Sequence, residues 1–149
     1  MSQPTRATCD LVDARDESCC ARCGRSLYSV LTFSRHHRRM RSHPFSSLHL
    51  PGNVIDVCGS GSTGCHGYIH AHPAESYEKG WLVRGNANLL PTDVPILTAR
   101  HGWILLDNQG HWTPTPSQEN NTEGTQCDSQ EPIPRKPILR SQTWRMPSD

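Results

Sequence analysis

Paired cysteines and interleaved histidines crowd residues 20 to 70 of the chain, in the order Cys20-x2-Cys23, His36-His37, Asn53, Cys58-x6-Cys65-His66, His70. Cysteine pairs can hold a structural zinc. Histidines placed between and after them can hold a second, catalytic ion and supply a general base. His66 and His70 stand four apart, so on a helix they share one face and can chelate one ion. Arg35, Arg38, Arg39 and Arg41 surround the histidine pair with no acid beside them in the sequence, which predicts positive charge at the reacting groups. The pattern predicts metal-dependent cleavage of an anionic substrate.

These side chains need elements to aim them. In SCCARCG, Gly24 lets the backbone turn tightly enough to present Cys20 and Cys23 together, whereas Cys19 lacks the x2 spacing. Residues 27–38 (LYSVLTFSRHHR) are rich in β-favouring types, and a strand there throws His36 and His37 to opposite faces. After the Pro51-Gly52 turn signal, NVIDVC reads as a second strand over 53–58. The Cys65-His66 segment follows as a helix that Pro73 breaks or restarts, with residues 74–79 helical up to a stop at Gly80. Downstream, Trp81-Leu82-Val83 and Gly102 to Leu106, with a turn at Asp107 to Gly110, predict short strands with a structural role. His72 reads as a cap for the turn at Pro73, and His43, His49, His101 and His111 are expected to carry no catalysis.

Composition divides the chain in three. Residues 1–17 are polar and acidic, an entry segment that is loose or a short helix; 18–112 hold every motif; 113–149 are rich in Pro, Ser, Thr, Gln and Asn and predict a disordered tail. Only 34% of the residues are hydrophobic, too few for a large apolar core, and metal staples would offset the shortage. The opening MSQPTRATCD begins no apolar run, so neither a signal peptide nor a membrane span is expected, and an odd cysteine count of 7 suits a reducing cytoplasm in which thiols bind metal. Cys9, Cys19 and Cys127 receive no role.

The motifs SRHHRRMRS, PGNVIDVCGSGSTG and GCHGYIHAHP, with ARCG upstream, resemble the HNH endonucleases of the small, zinc-stapled kind found in bacteriophages and bacteria. The resemblance covers residues 20–83. It departs from the family at Cys58 and Cys65, which are six apart where an ordinary knuckle has two. It implies an α+β fold with a ββα-metal (His-Me finger) core, a zinc knuckle of Cys20, Cys23, Cys58 and Cys65, and added short strands. It further implies that His37 is the general base and that His36 and His66 bind a catalytic divalent ion (Mg²⁺, Mn²⁺ or Ni²⁺), with His70 a candidate third ligand. Asn53 would be the organiser of the loop that aims the base, and Arg35, Arg38, Arg39 and Arg41 would contact phosphates. The partners implied are DNA and, by analogy with phage relatives that assist genome packaging, terminase subunits in a host cytoplasm, with no membrane.

Two other readings compete. One is a zinc-stapled nucleic-acid-binding or adaptor protein that cleaves nothing, against which stands the full set His36, His37, Asn53 and His66. The other is a host-directed nuclease acting on DNA or RNA, since one metal site can hydrolyse either backbone.

Overall fold

The computed structural model describes residues 2–86 and 88–115, a mixed α+β arrangement with two small antiparallel sheets. The chain enters through α1 (Arg6–Arg15), whose first turn is capped by Thr5 Oγ1 accepting from Thr8 N at 3.1 Å. The entry segment is therefore helical over most of its length, and it is docked. Buried Arg15 donates to Pro51 O (2.6 Å) and Val54 O (2.7 Å), while the carboxylate of Asp16 accepts from Asp56 N at 2.9 Å.

The cysteine turn follows. Gly24 sits at φ +76°, and its N–H closes the turn onto Cys20 O at 2.8 Å. The predicted strand over 27–38 begins later than expected, because Ser26 Oγ caps a single 3-10 turn over Leu27–Ser29. Strand β1 is Phe33–His37, and it pairs antiparallel with β2 (Val54–Cys58) so that His36 faces Ile55 and His37 faces Val54. Every residue of β2 is buried, which explains its nearly continuous apolar run. Helix α2 (Gly64–Ala71) packs against it on one side, and Ala21 N donates to Asp56 O at 2.8 Å along its other edge.

Pro73 restarts the chain as α3 (Pro73–Glu78), tied back by Ser76 Oγ donating to Ile69 O at 3.0 Å. Gly80 ends this region at φ +74°, where a Cβ would strike Pro95 O. Three strands then form a meander: β3 (Ile96–Thr98), β4 (Gly102–Leu106) and β5 (Trp112–Pro114). The expected domain limit at residue 112 falls inside β5. Residues 81–83, expected to be a strand, form none; Val83 makes one bridge to Arg39. The meander is joined to the rest through Leu97 N to Lys79 O (2.9 Å), Ala99 N to Ala21 O (3.0 Å) and Trp81 Nε1 to Leu97 O (2.8 Å). A small core of Leu27, Ile55, Val57, Ile69, Leu82, Ile96, Ile104 and Leu106 runs between the sheets and α2. Most of the segment expected to be a disordered tail, 116–149 with Cys127, lies outside the described residues. No helix among those described is long and apolar enough to cross a membrane.

Candidate metal centres

Four thiols converge from three elements: Cys20 and Cys23 on the turn, Cys58 at the end of β2 and Cys65 in the first turn of α2, with all sulfurs within 4.8 Å of one another. Zn–S bonds of about 2.3 Å arranged tetrahedrally need S···S edges of about 3.8 Å. Cys23 Sγ and Cys58 Sγ lie 3.9 Å apart. The group fits a metal such as zinc. Cys20, not Cys19, is the member of the group.

The six-residue gap between Cys58 and Cys65 closes through two glycines in the left-handed region, Gly59 (φ +88°) and Gly64 (φ +59°). At Gly59 a Cβ would strike Thr63 O, and at Gly64 it would come within 2.7 Å of Cys58 O. The crowding also polarises the thiols. Hydrogen bonding from Cys20 and Cys65 holds the Cys23 thiol down at about 2, while the same bond to Cys23, followed by Cys65 and burial, pushes Cys20 far up. One thiolate is therefore favoured at the expense of its neighbours, and ionising all four calls for a cation.

A second group joins His36 from β1 with His66 and His70 from α2. His36 is 2% exposed, and its Nε2 lies 2.9 Å from Trp81 O. A carbonyl only accepts, so Nε2 carries the proton and Nδ1 carries the lone pair, the arrangement a metal-binding imidazole needs. Burial pushes the His36 pKa down to about 3, and burial also lowers that of His66, so both are neutral at pH 7. His66 Nε2 and His70 Nε2 face each other at 3.1 Å, close to the N···N edge of about 3.0–3.4 Å set by metal–nitrogen bonds of about 2.0–2.1 Å. No carboxylate belongs to this group among the described residues.

The three histidines open onto a cavity of about 290 Å³ that Gln3, Arg35, His37, Met40 and Arg41 also line. His37 is half-buried, and burial, then Arg41 and His49, bring its pKa down to about 4, so it too is neutral at pH 7. Its Nε2 lies 3.0 Å from His49 Nδ1. His49, set aside on sequence grounds, thus stands beside the predicted base. Asn53 is 1% exposed and its side chain makes three hydrogen bonds: Oδ1 accepts from Arg39 N (2.6 Å), and Nδ2 donates to Arg39 O (3.1 Å) and Leu48 O (2.9 Å). Its amide pins both ends of the loop between β1 and β2.

The four arginines separate. Arg38 is fully buried and donates to the carbonyls of Gly80, Gly52, Pro91 and Val94, so it is an internal tie and cannot meet a phosphate. Arg35 has no acid beside it in the sequence but two near it in space: its Nη2 contacts both oxygens of Asp13 at 2.8 Å, and its Nε lies 3.9 Å from Asp56. Arg39 donates to Gly85 O at 2.8 Å and lies over Phe45, away from the cavity lining. Arg35 and Arg41 reach the cavity, Arg41 while donating to Ser2 O (2.9 Å) and to the Gln3 side chain (2.7 Å). His72 does occupy the N-cap position of α3, but without a side-chain cap bond; its ring stacks on Tyr68 and its Nδ1 bonds Tyr68 O at 3.0 Å.

Compared with protein-family models, with curated proteins and with solved structures, the chain has no match.

Proposed function

We propose that this chain is a metal-dependent endonuclease of the HNH kind, with β1, β2 and α2 as a ββα-metal core, and that it hydrolyses DNA phosphodiester bonds. The observation that carries the reading is the convergence of His36, His66 and His70 in one cavity with His37 and two arginines. Phosphodiester hydrolysis needs an activated water and a means of neutralising charge on the phosphate and the leaving oxygen. His36, His66 and His70 would hold a divalent ion, which would supply that neutralisation.

The chain's own residues do the rest. His37, neutral at pH 7, accepts the proton of the attacking water. Arg35, steadied by Asp13, and Arg41 grip phosphate oxygens from the cavity wall. Asn53 holds the loop beyond β1 so that His37 keeps its aim. A donor set of imidazoles without carboxylate suits Ni²⁺ better than Mn²⁺ or Mg²⁺. A place beside a terminase in phage genome packaging rests on the motif resemblance alone.

The test is relaxation or linearisation of supercoiled plasmid by the zinc-loaded protein with Ni²⁺, Mn²⁺, Mg²⁺ or EDTA, with His37→Ala beside the parent. Metal-dependent product that falls at least about 100-fold in the variant is expected, since a general base contributes roughly that much. Plasmid that stays intact under every metal while still being bound would transfer the case to a non-cleaving adaptor; intact plasmid with degraded RNA would make RNA the substrate.

A further inference from the structure

We propose that His49 is a positioning residue that fixes the ring tautomer of His37; the catalytic consequence rests on the nuclease reading, whereas the geometry does not. His49 Nδ1 lies 3.0 Å from His37 Nε2 with the ring planes at 82°, and His49 Nε2 lies 2.9 Å from Ser2 Oγ. A neutral imidazole offers one N–H and one lone pair, so two proton arrangements satisfy this chain. In the first, His37 Nε2–H donates to His49 Nδ1, and His49 Nε2–H donates to the Ser2 hydroxyl. His37 Nδ1 then carries a lone pair. In the second, both bonds run the other way, His37 Nδ1 carries the proton, and the ring has no lone pair left for a water.

The surroundings favour the first arrangement. His37 Nδ1 makes no hydrogen bond among the described residues, so no protein acceptor holds a proton there. The His37 ring shares its cavity with Arg35 and Arg41, and positive neighbours favour a lone pair over an N–H. The pairing is also held from behind. Asn53 Nδ2 donates to the carbonyl of Leu48, the residue before His49, while the same side chain holds Arg39, two residues beyond His37. One buried amide therefore sets the backbone on both sides of the histidine pair.

The experiment is long-range ¹H–¹⁵N correlation of the histidine rings in the full zinc-loaded chain at pH 7. The parent, His49→Ala and His49→Asn are compared, with plasmid cleavage measured on the same samples. His49 is partly exposed on a loop, so neither change removes core packing. The parent should show His37 as the Nε2–H tautomer and the alanine variant a mixture. The asparagine variant, whose side-chain oxygen can accept in place of Nδ1, should return to the parent pattern. kcat should fall roughly 10- to 100-fold in His49→Ala with KM and zinc content unchanged, and recover in His49→Asn. A parent His37 protonated on Nδ1, or an alanine variant with parental tautomer and kcat, would overturn the inference. An Nε2–H tautomer lost in His49→Ala, in a protein that cleaves neither plasmid nor RNA, would sink the nuclease reading and leave the tautomer lock standing.

Discussion

Arg38 and Arg41 lie three positions apart in one basic run and have opposite environments. Arg38 has no exposed surface, and burial, with Arg15 nearby, brings its pKa down to about 9, still charged at pH 7. Its guanidinium meets carbonyls at 2.7 to 3.2 Å from the turn before β2 (Gly52), from Gly80 and from the segment before β3 (Pro91, Val94), so it links pieces far apart along the chain. Arg38→Met should cost about 3–5 kcal/mol, because three buried acceptors and one part-buried acceptor lose their donor, and urea unfolding would register it. Arg41→Ala should shift stability by less than about 1 kcal/mol yet lower the salt dependence of DNA binding by about one phosphate contact. Equal stability of Arg38→Met and the parent would refute the tie. Nothing in RHHRRMR separates the two arginines, since a charge run reads the same whether a residue faces water or is surrounded by carbonyls supplied by distant segments. His49 was equally invisible: its pairing with His37 spans twelve positions and depends on how the intervening loop folds back.

At the level of elements, the junction between β2 and α2 decides whether Cys58 and Cys65 can meet. Gly64→Ala should cost about 1–3 kcal/mol, because it forces a Cβ against Cys58 O at a left-handed φ, and it should weaken zinc retention by misplacing Cys65. Gly61→Ala is the matched control, since nothing lies within 4 Å of a Cβ there. Thermal unfolding together with zinc release to a chromogenic chelator would check both, and similar losses at the two positions would remove the argument from φ. The order strand, strand, helix was legible, as were the restart at Pro73 and the stop at Gly80, because proline and glycine act locally. The start of β1 was not. The β-favouring run 27–30 is overridden by the Ser26 cap and by a backbone that has just left the cysteine turn.

For the whole molecule, the thiol group joins the cysteine turn, β2 and α2, and so spans the small core from three sides. We expect about one tightly held zinc per chain. Its removal by a strong chelator, or Cys23→Ser, should abolish cooperative unfolding altogether, since binding free energy of roughly 10 kcal/mol or more becomes folding free energy. Acid should act in the same direction, because the ligands must be thiolates and zinc is released as pH falls. His37→Ala should leave folding intact, and a chelated protein that still unfolded cooperatively at the parental temperature would dispose of the zinc assignment. The sequence by itself determined which residue types are available to bind metal, the spacing of Cys20 with Cys23 and of His66 with His70, and the secondary elements that carry them, because these depend on neighbours a few positions away. Through its motifs it also named the four-cysteine set and His70 beside His36 and His66. Only the tertiary structure decided how the six-residue gap between Cys58 and Cys65 closes, that Arg38 turns inward and that His49 meets His37, because each of these depends on contacts between residues whose separation along the chain carries no record of their distance in space.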